Sequence, residues 1–422
     1  MCCVEMVKRK FRILLVVLLI VVISGSAVAV VVSGRHHNSP TVALSPAHSS
    51  AYSIDRLRLG VTLTQKTNLS EPLPSELLNR SVDVVTVSLS GNGTSDPEPK
   101  PGVYDWSSLD SRIRQVAPLH AEVAMRVFEA PIWMTGGKAK AAVRPRFYQA
   151  FAELVVAAAQ RYPRVRYFAI WNELMGYRAD PAHWDFEAYT RLYNVVYTAL
   201  KGMNPNLQVG GPYAPFPPVS EGGAQSTISG PWGALDQNSL NAVSYWLDHK
   251  AGADFIAIDG RTAAPTKVPS QPVAATEMFS AVNRWIVTKS TLPIWWMEWY
   301  ARSPQLGPAE WNAVSAYALV QIAASGARTA LIWDPEFIPG HSTATPGLWV
   351  SATDAGTALT PVFETLRVDM FGTRVKLASP ESGVVILENA NHFIAIEVNG
   401  YRQSVVVGGK TVILNSYAIV TG

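Results

Sequence analysis

The chain has 422 residues, of which 48% are apolar and 16% charged, and it contains 13 tryptophans. This composition excludes a disordered chain and predicts a buried core of ordinary size. At about 150 residues per domain, the length allows two or three domains, or one large barrel with an appendage. The first 35 residues sum to +4 within a net charge of +3, so the rest of the chain sums to −1. A body this close to neutral argues against a nucleic-acid partner.

The N-terminal head predicts export. Residues 13–32 carry no charge and follow directly after Lys8, Arg9, Lys10 and Arg12. A helix of that length matches a hydrocarbon core of about 30 Å, and the basic flank predicts a cytoplasmic N-terminus. We therefore interpret 1–32 as a signal anchor, which places the body outside the cytoplasm at the cell membrane. A signal peptide cleaved after Ala27-Val28-Ala29 is the alternative and would give a secreted protein.

Residues 33–53 are rich in Ser, Pro and His, and we interpret them as an extracytoplasmic linker. Cys2 and Cys3 are the only cysteines of the chain and both precede the apolar run. The body therefore has no disulfide, no cysteine-based metal site and no thiol nucleophile.

Short apolar stretches of strand length alternate with amphipathic helical stretches over 54–371. The predicted strands are 57–63, 82–89, 122–127, 167–171, 208–211, 255–259, 294–298 and 329–333, and the predicted helices between them include 107–117, 145–161, 185–203, 239–250, 277–288 and 308–325. This alternation predicts parallel βαβ units, and eight of them predict an α/β fold of the (β/α)8 TIM barrel type. A doubly wound open sheet is the alternative, but the stretch after the first strand has no Gly-rich phosphate loop.

The pattern changes in 372–422, where short β-type runs are separated by Ser379-Pro380, Asn399-Gly400 and Gly408-Gly409. These turn signals predict a small C-terminal antiparallel β module. Because the segment is too short for a full sandwich, we expect it to borrow a strand from before Leu57. We expect it to support the barrel structurally rather than to bind carbohydrate.

Two of the predicted strands end in a glutamate framed by tryptophan. Glu173 follows the fourth strand in the sequence Trp171-Asn172-Glu173, and Glu298 ends the seventh in Trp296-Met297-Glu298-Trp299. The carboxyl ends of barrel strands are where barrel enzymes place their active sites. Retaining glycoside hydrolysis needs a carboxylic acid for the leaving oxygen and a carboxylate nucleophile for the anomeric carbon. The sequence therefore predicts a catalytic pair at this end of the barrel.

These motifs resemble those of clan A glycoside hydrolases, and most closely those of family 39 and related bacterial exopolysaccharide hydrolases. The resemblance implies that Glu173 is the acid/base, that Glu298 is the nucleophile, and that Asn172 binds the 2-hydroxyl of the sugar. Three further stretches agree with it, namely Tyr104-Asp-Trp106, Pro131-Ile-Trp133 and Gly210-Gly-Pro212. We expect Trp133, Trp299 and Trp333 to offer faces on which sugars stack.

The sixth strand departs from the family pattern. Family 39 tends to end this strand in His-x-Tyr, with the tyrosine contacting the nucleophile, whereas this chain has Asp259-Gly-Arg261. We therefore expect Tyr300 or another residue to contact the nucleophile.

The predicted function is a retaining glycoside hydrolase acting on an extracellular or cell-envelope polysaccharide or oligosaccharide. No metal and no cofactor is expected, because two carboxylates suffice for the chemistry. A transglycosylase with the same glutamates, and a non-catalytic glycan-binding or scaffold protein on a similar barrel, are the alternatives. The sequence does not indicate the sugar or the linkage.

Overall fold

A computed structural model describes most of the chain after residue 40. The described residues are 41–42, 50–53, 57–178, 180, 184–219, 224–263, 269–301, 306–338, 347–370, 374–377 and 383–422, with backbone alone for 41–42, 50–53 and 374–377. Across those ranges no helix is both long and apolar enough to cross a membrane. The predicted anchor at 13–32 lies outside the described residues.

The described strands are, in chain order, β1 (Thr41–Val42), β2 (Ser50–Ser53), β3 (Arg58–Thr62), β4 (Val84–Ser88), β5 (Glu122–Val127), β6 (Val165–Ile170), β7 (Gln208–Phe216), β8 (Gln225–Gly230), β9 (Gly233–Asp236), β10 (Phe255–Arg261), β11 (Ile294–Tyr300), β12 (Thr329–Trp333), β13 (Glu336–Phe337), β14 (Trp349–Val350), β15 (Arg374–Leu377), β16 (Val384–Glu388), β17 (Phe393–Glu397), β18 (Gln403–Val407), β19 (Lys410–Leu414) and β20 (Ile419–Thr421).

The described α-helices are α1 (Pro72–Ser81), α2 (Ser107–Val116), α3 (Ile132–Thr135), α4 (Tyr148–Arg161), α5 (Phe186–Met203), α6 (Gln237–His249), α7 (Pro272–Ala275), α8 (Glu277–Val287), α9 (Pro308–Ala324) and α10 (Leu359–Thr365). A 3₁₀ turn, Pro145–Phe147, leads into α4, and a π-helical turn, Leu366–Met370, follows α10.

Eight parallel strands close into a barrel, so the predicted TIM barrel is confirmed. Going round the barrel, the order is β3, β4, β5, β6, β7, β10, β11 and β12, and β12 pairs back onto β3. All eight predicted strands are present, with β6 and β11 as the fourth and seventh barrel strands. The fifth, β7, extends to Phe216, well beyond the predicted end at Gly211. The sequence Gly210-Gly211-Pro212 suggests a strand end, but Gly210 packs so tightly under the Phe255 ring that a Cβ there would lie 2.3 Å from it.

Two apolar layers hold the barrel together. The larger layer lies between the strands and the surrounding helices, where α4, for example, buries Phe151, Leu154, Val155 and Ala158 on one face. A smaller cluster drawn from the barrel strands fills the interior, and it consists of Val84, Ala124, Ala169, Tyr213, Phe255, Ala257, Trp295, Met297 and Leu331. The interior is therefore packed with side chains, which leaves the ends of the strands as the place for chemistry.

The C-terminal β module is also confirmed, as two small sheets, one of which packs against α9 and α10 through β17 and β20. One sheet has the order β2-β15-β16-β17-β20 and the other β1-β18-β19. β2 is the expected strand from before Leu57, and it pairs antiparallel with β15. Both β1 and β2 lie in the segment that the sequence suggests is a linker. The sheets share an apolar cluster made of Val384, Ile386, Ala395, Val405, Val407 and Leu414.

Candidate active site

A change of register in β11 aims Glu298 into the mouth of the barrel. Ile258 of β10 pairs with Trp296, but the next residue, Asp259, pairs with Glu298, so Met297 is an extra residue on β11. Such a bulge re-aims the side chains that follow it. Met297 lies in the barrel interior and Glu298 faces the site, whereas strict alternation would have turned Glu298 to the same side as Trp296, towards the helices.

Glu298 is held by two donors from other strands. Its Oε1 accepts a hydrogen bond from the Tyr213 hydroxyl at 2.8 Å and forms an ion pair with Nη1 of Arg126. Arg126 is 1% exposed and lies in β5, where its Nε and Nη2 donate to Ser88 Oγ at 3.1 and 2.8 Å. Since Ser88 fixes the guanidinium and the guanidinium fixes Glu298, one oxygen of the carboxylate is locked in place.

Tyr213 reaches the site because β7 also changes register. Ala257 of β10 pairs with Pro212 and Ile258 with Ala214, so Tyr213 is the extra residue of this bulge. Its φ of 53° lies in the left-handed region that non-glycine residues adopt rarely. With this backbone conformation, the fully buried phenol of Tyr213 points towards Glu298. The strand-five tyrosine thus makes the nucleophile contact that the altered sixth strand does not provide.

The environment of Glu298 balances opposing effects. Burial raises the pKa of Glu298 to about 7, with a further contribution from Glu173, while Arg126 and the Tyr213 hydrogen bond oppose the rise. Glu298 is therefore ionised above about pH 7, where it can act as a nucleophile.

Glu173 lies in the turn that follows β6, together with Asn172. Three residues of this turn have positive φ, namely Trp171 at 80°, Glu173 at 48° and Leu174 at 51°. The Trp171 indole anchors the turn by donating to the Met175 carbonyl at 2.8 Å. Oδ1 of Asn172 accepts a hydrogen bond from Arg126 Nη1 at 3.2 Å, so the guanidinium that holds Glu298 also contacts the residue before Glu173.

Two arginines bracket the Glu173 carboxylate. Nη2 of Arg178 lies 3.7 Å from Oε2, and Nη1 of Arg261 lies 3.7 Å from Oε1. Both distances are too long for hydrogen bonds, so the contacts are electrostatic. Arg178 also lies over the Trp184 ring, 5.3 Å from its centroid.

Asp259 adds a third carboxylate beside the two glutamates. It is 3% exposed, and in the described part of the chain neither of its oxygens has a hydrogen-bond partner. Burial raises the pKa of Asp259 well above its ordinary value, and Glu173 and Glu298 raise it further. These effects favour the neutral form of Asp259.

The structure brings together Glu173, Glu298, Asn172, Trp333 and Tyr300 from the residues predicted for the site. Trp333 ends β12 and lies 5.7 Å from the Arg126 guanidinium. Tyr300 pairs in register with Arg261, and it lies close enough to Glu173 and Glu298 for their charges to raise its pKa, although burial raises it more. Tyr300 is therefore part of the site, but the described contact with the nucleophile is made by Tyr213.

Trp299 does not join this group, and a sugar contact by Trp133 stays a prediction. Trp299 is fully buried and packs edge-to-face with Phe279 of α8, because a residue next to Glu298 on a strand points to the opposite face. It offers no face for a sugar, which corrects the expectation from sequence. Trp133 packs on Phe147 and donates its indole N–H to the Glu98 carbonyl at 2.9 Å.

Sequence reasoning missed Arg126 and Tyr213. A signal for Arg126 was present, because it is a lone arginine in an otherwise apolar run, Val123-Ala-Met-Arg-Val127. Buried arginines of this kind are almost always paired. No comparable signal marks Tyr213, since its orientation depends on the register of β7 against β10.

Comparison with known proteins gives matches of structure but not of sequence. No protein-family model and no curated protein matches the chain. A family 39 β-xylosidase from Caulobacter crescentus superposes with a TM-score of 0.59 at 14% identity, over 87% of this chain and 83% of the enzyme. SrfJ from Salmonella typhimurium gives 0.58 at 12% identity, over 90% of this chain and 92% of that one.

The chain shares its fold with glycoside hydrolases of family 39. A family 39 glycoside hydrolase from Bacteroides cellulosilyticus WH2 agrees with this, with a TM-score of 0.58 at 16% identity over 88% of this chain and 80% of the enzyme. The resemblance predicted from the sequence is thus confirmed. Identities this low establish the fold alone, so the activity has to be argued from the site.

Proposed function

We propose that the chain is a retaining glycoside hydrolase that cleaves O-glycosidic bonds in an extracellular or cell-envelope polysaccharide. The observation that carries this proposal is the fixation of Glu298 by Arg126 and Tyr213 at the barrel mouth, within electrostatic reach of Glu173. A carboxylate held on one oxygen by two donors keeps its other oxygen for attack. Clan A glycosidases of known structure that share the fold support a carbohydrate substrate.

The mechanism assigns a different role to each carboxylate. The ionised Glu298 attacks the anomeric carbon and forms a glycosyl-enzyme, while the carboxylic acid of Glu173 protonates the departing oxygen. Glu173, now a carboxylate, then takes a proton from water, which attacks the anomeric carbon and releases Glu298. Arg126 and Tyr213 position Glu298 in both steps and stabilise its charge when the sugar leaves.

Asn172 contributes to binding. Because its Oδ1 accepts from Arg126, its Nδ2 is the group that can donate to a sugar hydroxyl. A hydrogen bond to the 2-hydroxyl strengthens in the oxocarbenium-like transition state, and such a contact therefore increases the rate of glycoside cleavage.

Mechanism-based labelling tests the proposal. A panel of cyclophellitol-type or fluoro-sugar probes, each matched to a different sugar, is incubated with the protein, and the labelled peptide is mapped by mass spectrometry. The expected label is on Glu298, and the same probe should fail to label Glu298→Gln. A label on another carboxylate rules out the nucleophile assignment and with it the proposed mechanism.

We further propose that this activity is exported, on the evidence of the basic flank and apolar run at 8–32. An alkaline phosphatase fused after Gly422 is expected to be active in the native host. An inactive phosphatase fusion together with a working cytoplasmic reporter would show that the topology is wrong.

A further inference from the structure

The acid/base side of the site holds two arginines in addition to the one that fixes Glu298. Arg126, Arg178 and Arg261 face the carboxylates of Glu173 and Glu298, so three guanidiniums meet two glutamates. The buried carboxyl of Asp259 lies near Arg178 and Arg261 as well. Protonation of Glu173 for the first step removes the charge of the carboxylate that these two arginines bracket.

Arg178 and Arg261 also have unused donors. The Nε atoms of both are buried and find no hydrogen-bond acceptor in the described part of the chain. Asp236 lies near Arg178 too, but its carboxylate caps α6, where Oδ1 accepts from Asn238 N at 2.9 Å. An arginine with buried, unsatisfied N–H groups gains most from a charged acceptor.

The spacing of this arginine pair fits a carboxylate. Arg178 approaches one oxygen of Glu173 and Arg261 the other, so the two guanidiniums already bracket a single carboxyl group. Their side chains are 29% and 19% exposed, against 1% for Arg126. The pair therefore lies further out towards solvent than the pocket of Glu298 and remains open to a ligand.

The pair lies on the leaving-group side of the bond to be cleaved. In the proposed mechanism Glu173 protonates the glycosidic oxygen, which joins the sugar attached to Glu298 to the departing sugar. Among the ion pairs described, Arg178 and Arg261 contact Glu173 and not Glu298, which favours a position beside the departing sugar.

We infer that Arg178 and Arg261 bind a carboxylate on the departing sugar, so that the substrate is an acidic polysaccharide with a uronic acid in the leaving-group position. This inference rests on the proposed retaining hydrolase function. The carboxylate accepts hydrogen bonds from the arginine pair and replaces the negative charge that Glu173 loses when it is protonated.

The first test varies only the leaving group. Aryl glycosides of the sugar identified by probe labelling are prepared with 3- and 4-carboxyphenyl leaving groups and with the matching carboxamides. The ratio of kcat/KM for carboxylate over carboxamide is expected to fall about 10- to 100-fold in Arg178→Gln/Arg261→Gln, the effect of losing charge-assisted hydrogen bonds. The double Lys variant, which keeps the charge, should lose less. Arg80→Gln, which removes a surface arginine paired with Glu364, is the matched control and should not change the ratio.

The second test uses polymers. Alginate, polygalacturonate, glucuronoxylan and hyaluronan are compared with their carboxyl-reduced forms, in which each carboxylate has become a hydroxymethyl group. Cleavage is expected to favour an acidic polymer over its reduced form, and the uronic acid is expected at the new non-reducing end.

Failure of this inference differs from failure of the proposed function. A leaving-group ratio that does not respond to the arginine substitutions, or faster cleavage of reduced or neutral polymers, overturns the inference while Glu298 labelling still supports a glycosidase. No labelling by any probe, together with no turnover of any glycoside or polymer, overturns both.

Discussion

Glu298 and Glu173 face the same barrel mouth, yet the chain holds them in different ways. Glu298 lies within a strand, is 7% exposed, and has one oxygen fixed by Arg126 and Tyr213. Glu173 lies in a turn with positive φ values and meets its two arginines only at 3.7 Å. A nucleophile has to stay ionised and aligned through the reaction, whereas an acid/base has to give up and regain a proton. The fixed carboxylate of Glu298 fits the role of nucleophile, and the more loosely held carboxylate of Glu173 fits the role of acid/base.

The largest effect is expected at the rigid glutamate. In Glu298→Gln the amide cannot form the glycosyl-enzyme, so kcat is expected to fall by about 10⁴-fold or more for every substrate. Steady-state kinetics with good and poor leaving groups would measure the loss. Near-normal turnover by this variant would show that Glu298 is not the nucleophile.

A smaller and selective effect is expected at the loosely held glutamate. Glu173→Ala should slow cleavage of a natural linkage by about 10²–10⁴-fold, the usual contribution of general acid catalysis. A dinitrophenyl glycoside needs no proton to leave, so it should still give a burst of dinitrophenol followed by slow deglycosylation.

Azide supplies the control for Glu173. It needs no general base, so it should speed release from Glu173→Ala and give a glycosyl azide of retained configuration. An inverted product, or an equal loss with both leaving groups, contradicts the acid/base assignment.

The third prediction uses the pH dependence of kcat/KM to test the hydrogen bond between Tyr213 and Glu298. Because Glu298 attacks in its ionised form and its pKa is about 7, kcat/KM is expected to fall as the pH drops below 7. The Tyr213 hydrogen bond lowers this pKa, so Tyr213→Phe raises it and moves the acidic limb of the profile to higher pH. At pH 7 the loss is expected to be about tenfold, the scale of one hydrogen bond to a charged group. An acidic limb that does not move, or that moves to lower pH, would show that Tyr213 does not tune the nucleophile.

A buried glutamate outside the barrel shows that burial alone does not mark a catalytic group. Glu397 in the β module is fully buried and accepts hydrogen bonds from the backbone N–H groups of Asn399, Gly400 and Tyr417 at 2.7 to 2.9 Å. We expect Glu397→Gln to lower the free energy of unfolding by about 2 kcal/mol, because charge-assisted hydrogen bonds are lost. Its kcat/KM should equal that of the wild type. Urea unfolding and steady-state kinetics measure the two quantities, and reduced activity in the folded variant would contradict a purely structural role.

The sequence predicts the barrel well because each barrel strand is an apolar run. Such a run can be identified from its own residues, without knowing which strand it pairs with. The sequence also predicts the positions of Glu173 and Glu298, since both follow directly from strand ends. It cannot predict the bulge at Met297, which depends on how β11 pairs with β10. Orientations that depend on strand register, such as those of Trp299 on β11 and Tyr213 on β7, are therefore the ones that sequence reasoning gets wrong or misses.

The two strands that precede the barrel decide where the chain can be cut for expression. A recombinant fragment that starts at Leu57, where the barrel begins, would lose β1 and β2 and leave β15 and β18 each with one unpaired edge. Unpaired strand edges of this kind recruit other chains and promote aggregation. A fragment that begins at Ser39 keeps both strands, so β15 and β18 retain both of their neighbours and these two edges stay paired.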